Sequence, residues 1–169
     1  LERITPLLWE ELTELGIPFS RCGVFIVDEE ARRVRSYLTS PQGAPLGALD
    51  LAFDSHPHVR ATVGHWRAKK VYVTRWDQQT ILDWMAFLQR QGQPIEHEQY
   101  LDGKAPPESL IIHNVPFTQG MLYVGSASPL PEEDVDLVKG LANAFSVAYA
   151  RYLDFQRLEE ANVRLQEVD

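Results

Sequence analysis

The chain of 169 residues holds one cysteine, Cys22. A lone thiol can form no internal disulfide and no cysteine-rich zinc site, so a cytoplasmic setting is expected. Basic residues are also in short supply. Sixteen Lys and Arg against 24 Asp and Glu leave a net charge of −8, a surface that repels the phosphates of nucleic acid and of anionic membranes. No run reaches the roughly eighteen uncharged apolar residues of a bilayer span. Enzyme signatures are missing too: there is no Gly-rich phosphate loop, no Gly-x-Ser-x-Gly elbow, no His-Glu-x-x-His and no Cys-x-x-Cys. No catalytic residue, cofactor or metal is therefore expected, and neither nucleic acid nor membrane is an expected partner.

What remains is an ordinary hydrophobic content of 44%, enough for one domain with its own core. Thr5-Pro6 followed by Leu8, Leu12 and Leu15 predicts a short amphipathic helix stopped by Gly16. Cys22 to Val27 and Arg32 to Ser40 read as two strands of a hairpin across Asp28-Glu29-Glu30-Ala31. Residues 41–48, with two prolines and two glycines, read as a loop before a third strand at Leu49 to Phe53. A helix over His58 to Lys69, a short strand at Val71 to Val73 and a helix over Asp77 to Gln91 follow by periodicity. Residues 92–107 read as an exposed connection. Leu110 to Phe117 and Met121 to Ala127 form a second predicted hairpin. The order implies an α+β fold: one antiparallel sheet, with the N- and C-terminal helices on one face and the central helices and loops on the other.

The last segment predicts a single long helix. Pro131 opens it, Glu132, Glu133 and Asp134 complement the positive end of its dipole, and no proline follows. Run to Asp169 it would be about 58 Å long at 1.5 Å per residue, more than a domain of this size can cover. Leu141, Phe145, Ala148, Tyr152 and Phe155, then Leu158, Ala161, Leu165 and Val168, trace a heptad-like seam with one local skip. The domain is expected to occupy residues 1–155 and the projecting helix 156–169. Tyr152, Phe155, Leu158 and Leu165 are the expected contacts to a partner helix.

The run Gly120-Met121-Leu122-Tyr123-Val124-Gly125-Ser126-Ala127-Ser128-Pro129-Leu130-Pro131-Glu132-Glu133-Asp134 resembles the final strand and helix start of GAF-like domains. The likeness is to those of bacterial signal-transduction histidine kinases and related adenylate cyclases. Leu141 to Phe145 and Tyr149 to Gln156 are similar to that family's signalling helix; His58 to Val73 and Gln79 to Leu88 look like its central helix–strand unit and the helix after it. Pro131 departs from the family's usual serine at the helix start. The resemblance implies a regulatory input module, without enzymatic activity of its own, covalently linked to an effector such as a histidine kinase. It implies a homodimer through the terminal helices and, as in some members, a small molecule between sheet and central helices. The alternative is a ligand-free dimerisation scaffold of the same fold.

For such a pocket the aromatics Trp66, Tyr72, Trp76 and Trp84 are the candidate walls, with Tyr123 on a strand. His113 shares its strand face with Ile111, Val115 and Phe117, which makes it either a satisfied core histidine or a ligand contact. His56, His58 and His65 carry metal-ligand chemistry, but a proline-flanked loop capping a helix is the commoner meaning of His-Pro-His. His97 falls in the charged connection. Cys22 lies inside a predicted strand, where a small buried hydrophobe is expected rather than a chromophore anchor. The Asn-Lys-x-Phe-Asp-Glu signature of nucleotide-binding GAF domains is absent.

Overall fold

A computed structural model describes residues 4–93, 101 and 104–168. Helix α1 (Ile4–Glu14) leads into strands β1 (Arg21–Asp28), β2 (Arg33–Thr39) and β3 (Pro45–Ala52). Helix α2 (Pro57–Arg67), strand β4 (Tyr72–Trp76) and helix α3 (Gln78–Arg90) form the central unit. Strands β5 (Leu110–Phe117) and β6 (Gly120–Ser126) and the long helix α4 (Glu132–Val168) complete the chain. The six strands form one open antiparallel sheet in the order β3-β2-β1-β6-β5-β4.

Alternation along the strands sorts the core into two layers. Cys22 and Val24 of β1, Leu122 and Val124 of β6 and Val115 and Phe117 of β5 face Leu8 and Leu12 of α1 and Val138 and Ala142 of α4. Leu110 and Ile112 of β5, Tyr123 of β6 and Val34 and Leu38 of β2 face Val59 and Val63 of α2 and Ile81, Trp84 and Leu88 of α3. The terminal helices thus cover one face and the central helices the other. Burying one large aliphatic side chain in such a layer contributes about 1.5–3 kcal/mol, so neither face is dispensable.

Local chemistry explains most boundaries. In the first hairpin the Asp28 carboxylate accepts the Ala31 N–H at 3.0 Å, which closes the turn that Arg32 leaves at φ 56°. In the second, a Cβ at Gly120 would lie 1.7 Å from the Phe25 carbonyl, so only glycine fits where β6 starts beside β1. Asp77 caps α3 by accepting the Thr80 N–H at 2.8 Å.

Four details differ from expectation. The third strand begins at Pro45 rather than Leu49, because β2 shifts register between Tyr37 and Thr39 and takes up the preceding residues as partners. Pro45 is tolerated as the first residue of a strand at the edge of the sheet. Strand β4 runs on to Trp76, pairing it with Leu110. Within the connection expected to be exposed, Leu101 is buried in the central layer, while His97 lies outside the described residues.

The fourth difference concerns α4, which is about 55 Å long at 1.5 Å per residue. The stripe it buries is Val138, Ala142 and Tyr149, with Phe145 and Leu153 half-buried along it, whereas Ala148 is exposed. The expected seam with a skip blends this stripe with a second, exposed one. Phe145 belongs to the buried stripe; Ala148, Phe155 and Leu158 belong to the exposed one.

Candidate functional site

The N-terminal end of α2 assembles the most unusual chemistry of the fold. His56 is extended (φ −157°, ψ 145°) and its Nδ1 accepts the His58 N–H at 3.0 Å, so an imidazole serves as N-cap ahead of Pro57. The proline suits the first helical position, where its missing N–H has no partner to lose. His58 is thereby set in the first turn, edge-on to Trp76 at 4.7 Å and Trp84 at 5.4 Å, with Tyr72 at 6.1 Å. Trp84 continues the cluster to His56 at 5.1 Å and Phe87 at 5.3 Å. The Trp76 indole N–H donates to Thr74 Oγ1 at 3.0 Å, which leaves the ring fixed and its polar atom satisfied.

Burial dominates the electrostatics. Enclosure among the aromatic rings pushes His58 from 6.5 down to about 4, with a smaller contribution from His56. His56 is lowered too, first by burial and then by Arg60 and Arg90. Both imidazoles are therefore neutral near pH 7. Two turns along the same side of α2, His65 donates from Nδ1 to the Ala61 carbonyl at 2.8 Å and stacks on Tyr72 at 4.2 Å.

Behind this cluster, between sheet and helices, lies a cavity of about 30 Å³ bounded by Phe25, Val34, Ser36, Leu51, His58 and Trp84. That is room for a single water. On the same sheet face, Asn114 is fully buried and stands in register between Tyr72 and Tyr123. Its amide donates to the Tyr72 carbonyl at 3.5 Å, and its Oδ1 has no partner among the described residues. A buried acceptor left unpaired costs about 1–3 kcal/mol, so this atom is the natural receiver for a water or a donor group.

The residues expected to line a pocket are not gathered in one place. Tyr72, Trp76 and Trp84 meet around His58, and Tyr123 lies on the same face against Phe25 at 5.9 Å. Trp66 sits at the other end of α2, donating to the Phe117 carbonyl at 3.0 Å. It borders an open cleft of about 480 Å³ with Glu29, Arg67, Lys69 and Asn143, where Arg67 pairs with Glu29 at 2.9 Å. His113 faces the terminal helices, across the sheet from the cluster. Its Nε2 accepts the Leu130 N–H and its Nδ1 donates to the Val124 carbonyl, both at 3.1 Å. Burial lowers its pKa, and both nitrogens are committed to backbone, so it braces the approach to α4 and has no atom left for a ligand. His56, Phe87 and Asn114 were not singled out as pocket residues from the sequence. The His-Pro-His spacing was the available signal for the first, whereas an orphaned amide becomes visible only when its neighbours are in place.

Cys22 is buried, pushed up to about 12 by desolvation, and bracketed by Thr39, whose hydroxyl accepts its N–H at 3.2 Å and donates to its carbonyl at 3.1 Å. A thiol so held is inert. No three His, Cys, Asp or Glu side chains among the described residues converge as a metal site, and no described helix is long and apolar enough to cross a membrane.

The second candidate surface is the far half of α4. Phe155, Leu158 and Leu165 are 62%, 65% and 66% exposed, and Tyr152 also faces solvent.

No known protein family matches the sequence, and no curated protein matches it either. Among solved structures, the chain is similar to the crystal structure of a methyl-accepting chemotaxis protein, residues 122 to 287. The two share 15% identity at a TM-score of 0.48, over 89% of this chain and 87% of that one.

Proposed function

We propose that this chain is a regulatory, GAF-like input module of a signal-transduction protein, which pairs through its terminal helices and passes a change in the domain along α4 to a covalently linked effector. The observation that carries this reading is the form of α4. Its near half is anchored on the sheet by Val138, Ala142 and Tyr149, while its far half presents Phe155, Leu158 and Leu165 to solvent on a helix that none of the described residues covers. An apolar stripe in that position is stable only when a partner buries it. The resemblance of residues 120–134 to the last strand and helix start of GAF-like domains, including those of histidine kinases, supports a covalently linked effector as the output. Any kinase or cyclase activity belongs to another stretch of polypeptide.

Replacing Leu158 and Leu165 together by lysine tests the pairing. The double variant is expected to be monomeric by light scattering, with the same circular dichroism melt for the domain. An unchanged mass at all concentrations would refute pairing through α4.

A ligand-free scaffold is the second reading, and the small cavity favours it. The cavity bounded by Phe25, Leu51, His58 and Trp84 holds only about 30 Å³, so a metabolite could enter it only by displacing α2 or α3. A ligand shifts such an equilibrium only by its differential affinity for the two arrangements. A thermal-shift screen with metabolites and nucleotides separates the readings, since a ligand that prefers the native state must raise the melting temperature. A saturable rise that is lost in Asn114→Leu supports a sensor; no rise with any compound supports a scaffold.

A further inference from the structure

We infer that α4 pairs with α4 of a second copy of this chain in a parallel, in-register coil, and that Asn162 pins this alignment. The inference rests on the pairing proposed above and adds its direction and register. Apart from half-buried Leu141, the residues Leu137, Leu141, Ala144, Ala148, Arg151, Phe155, Leu158, Asn162 and Leu165 are all exposed, and they follow one another in unbroken steps of four and three. They form a stripe about a third of a turn around the helix from the buried one. The domain can therefore keep its grip on Val138, Ala142 and Tyr149 while this second stripe meets another helix.

The residue types along the stripe select the partner. In heptad terms Ala148, Phe155 and Asn162 occupy the a positions, and Leu158 and Leu165 the d positions. Leucine at d suits two parallel strands, and one polar residue at a fixes register. In a parallel, aligned pair, a faces a, so the Asn162 amides of the two copies can each donate to and accept from the other. In an antiparallel pair, a faces d, and Asn162 would be desolvated against leucine or arginine, leaving its amide unpaired. A shift by one heptad sets Asn162 against Phe155, with the same penalty. The small Ala144 and Ala148 allow close approach beside the domain, and Arg151 at d can run its stem along the seam with its charge in water. Asp154 and Glu159 of opposing copies would face each other across the flank, so the pair should tighten as salt screens them.

Same-site cross-linking in the full chain tests the inference, with light scattering on the same samples. Cysteine is introduced singly as Leu158→Cys, Leu165→Cys and, on an outward position, Val163→Cys; native Cys22 is buried and unreactive. Oxidation should join Leu158→Cys and Leu165→Cys chains to their own kind roughly tenfold faster than Val163→Cys, because a seam position holds the two thiols at high effective concentration. Mixing Leu158→Cys with Leu165→Cys should give no excess of the mixed product. Asn162→Val, which removes the polar pin, should tighten the dimer about tenfold and allow the mixed product to form. A dimer that cross-links faster between Leu158→Cys and Leu165→Cys than within either, or equally at all positions, overturns the parallel register but leaves pairing intact. A chain that stays monomeric removes the pairing itself.

Discussion

Under α1 and α4 the sheet is covered by aliphatic side chains, Leu8, Leu12, Val138 and Ala142, while under α2 and α3 it meets His58, Trp84 and Phe87. On the first face the buried polar groups described above are bonded: His113 uses both nitrogens, and the Thr39 hydroxyl serves the Cys22 backbone twice. On the second there is a small cavity, an acceptor without a donor among the described residues and an imidazole that cannot easily take a proton. The contrast separates two tasks. The terminal-helix face anchors α4 on the sheet through Val138, Ala142 and Tyr149, and committed hydrogen bonds suit that. The central face holds the unspent interactions, so a rearrangement that opens it has something to gain by bonding water or ligand.

Acid should break this contrast most strongly. The His58 pKa is lowered in the folded protein, so the folded state holds fewer protons than the unfolded chain between pH 6.5 and about 4. Its stabilisation is complete above pH 6.5 and is lost as pH falls through about 4, a total of about 3 kcal/mol. Urea melts at pH 7 and pH 4 should differ by about that much, and His58→Phe should flatten part of the difference. A residual slope is expected from His56 and His113, whose pKa values are also lowered. No difference between the two pH values would mean that the imidazole is not enclosed.

A smaller effect sharpens the picture of the other face. His113→Leu removes the acceptor for the Leu130 N–H just before α4, at a cost of about 2 kcal/mol. A neutral result in chemical denaturation would show that this face is not as tightly bonded as described. The smallest effect belongs to Asn114→Leu, which removes an orphaned oxygen and only a long amide bond. A change within about 1 kcal/mol of zero is expected. A loss well beyond that would reveal a bonded water at Oδ1.

Much of this fold is legible in the residues. The two hairpins follow from β-branched runs around Asp28-to-Ala31 and Thr118-Gln119-Gly120, and α3 from its Asp77 cap and the spacing of Ile81, Trp84 and Leu88. The start of β3 is hidden because Pro45 and Gly47 read as loop until β2 pairs with them across a bulge in β3. The stripes of α4 are confounded because a buried face and an exposed, heptad-spaced one repeat at nearly the same period and lie only part of a turn apart. The candidate site was less accessible still. Aromatic residues announce a cluster, yet which of them meet depends on the end of α2 each occupies, and that separates Trp66 from Tyr72, Trp76 and Trp84.

From the amino-acid order alone come the α+β class, the two hairpins, the long terminal helix and the unfavourable charge for nucleic acid. Each of these rests on local periodicity, turn chemistry or composition, which neighbours along the chain decide among themselves. Tertiary structure decided which sheet face each side chain joins, that His113 is fully bonded, that Asn114 is left with a free acceptor, and that α4 carries two separate stripes. Those outcomes depend on groups far apart in sequence competing for the same space and the same hydrogen bonds, and that competition is settled only when the layers close.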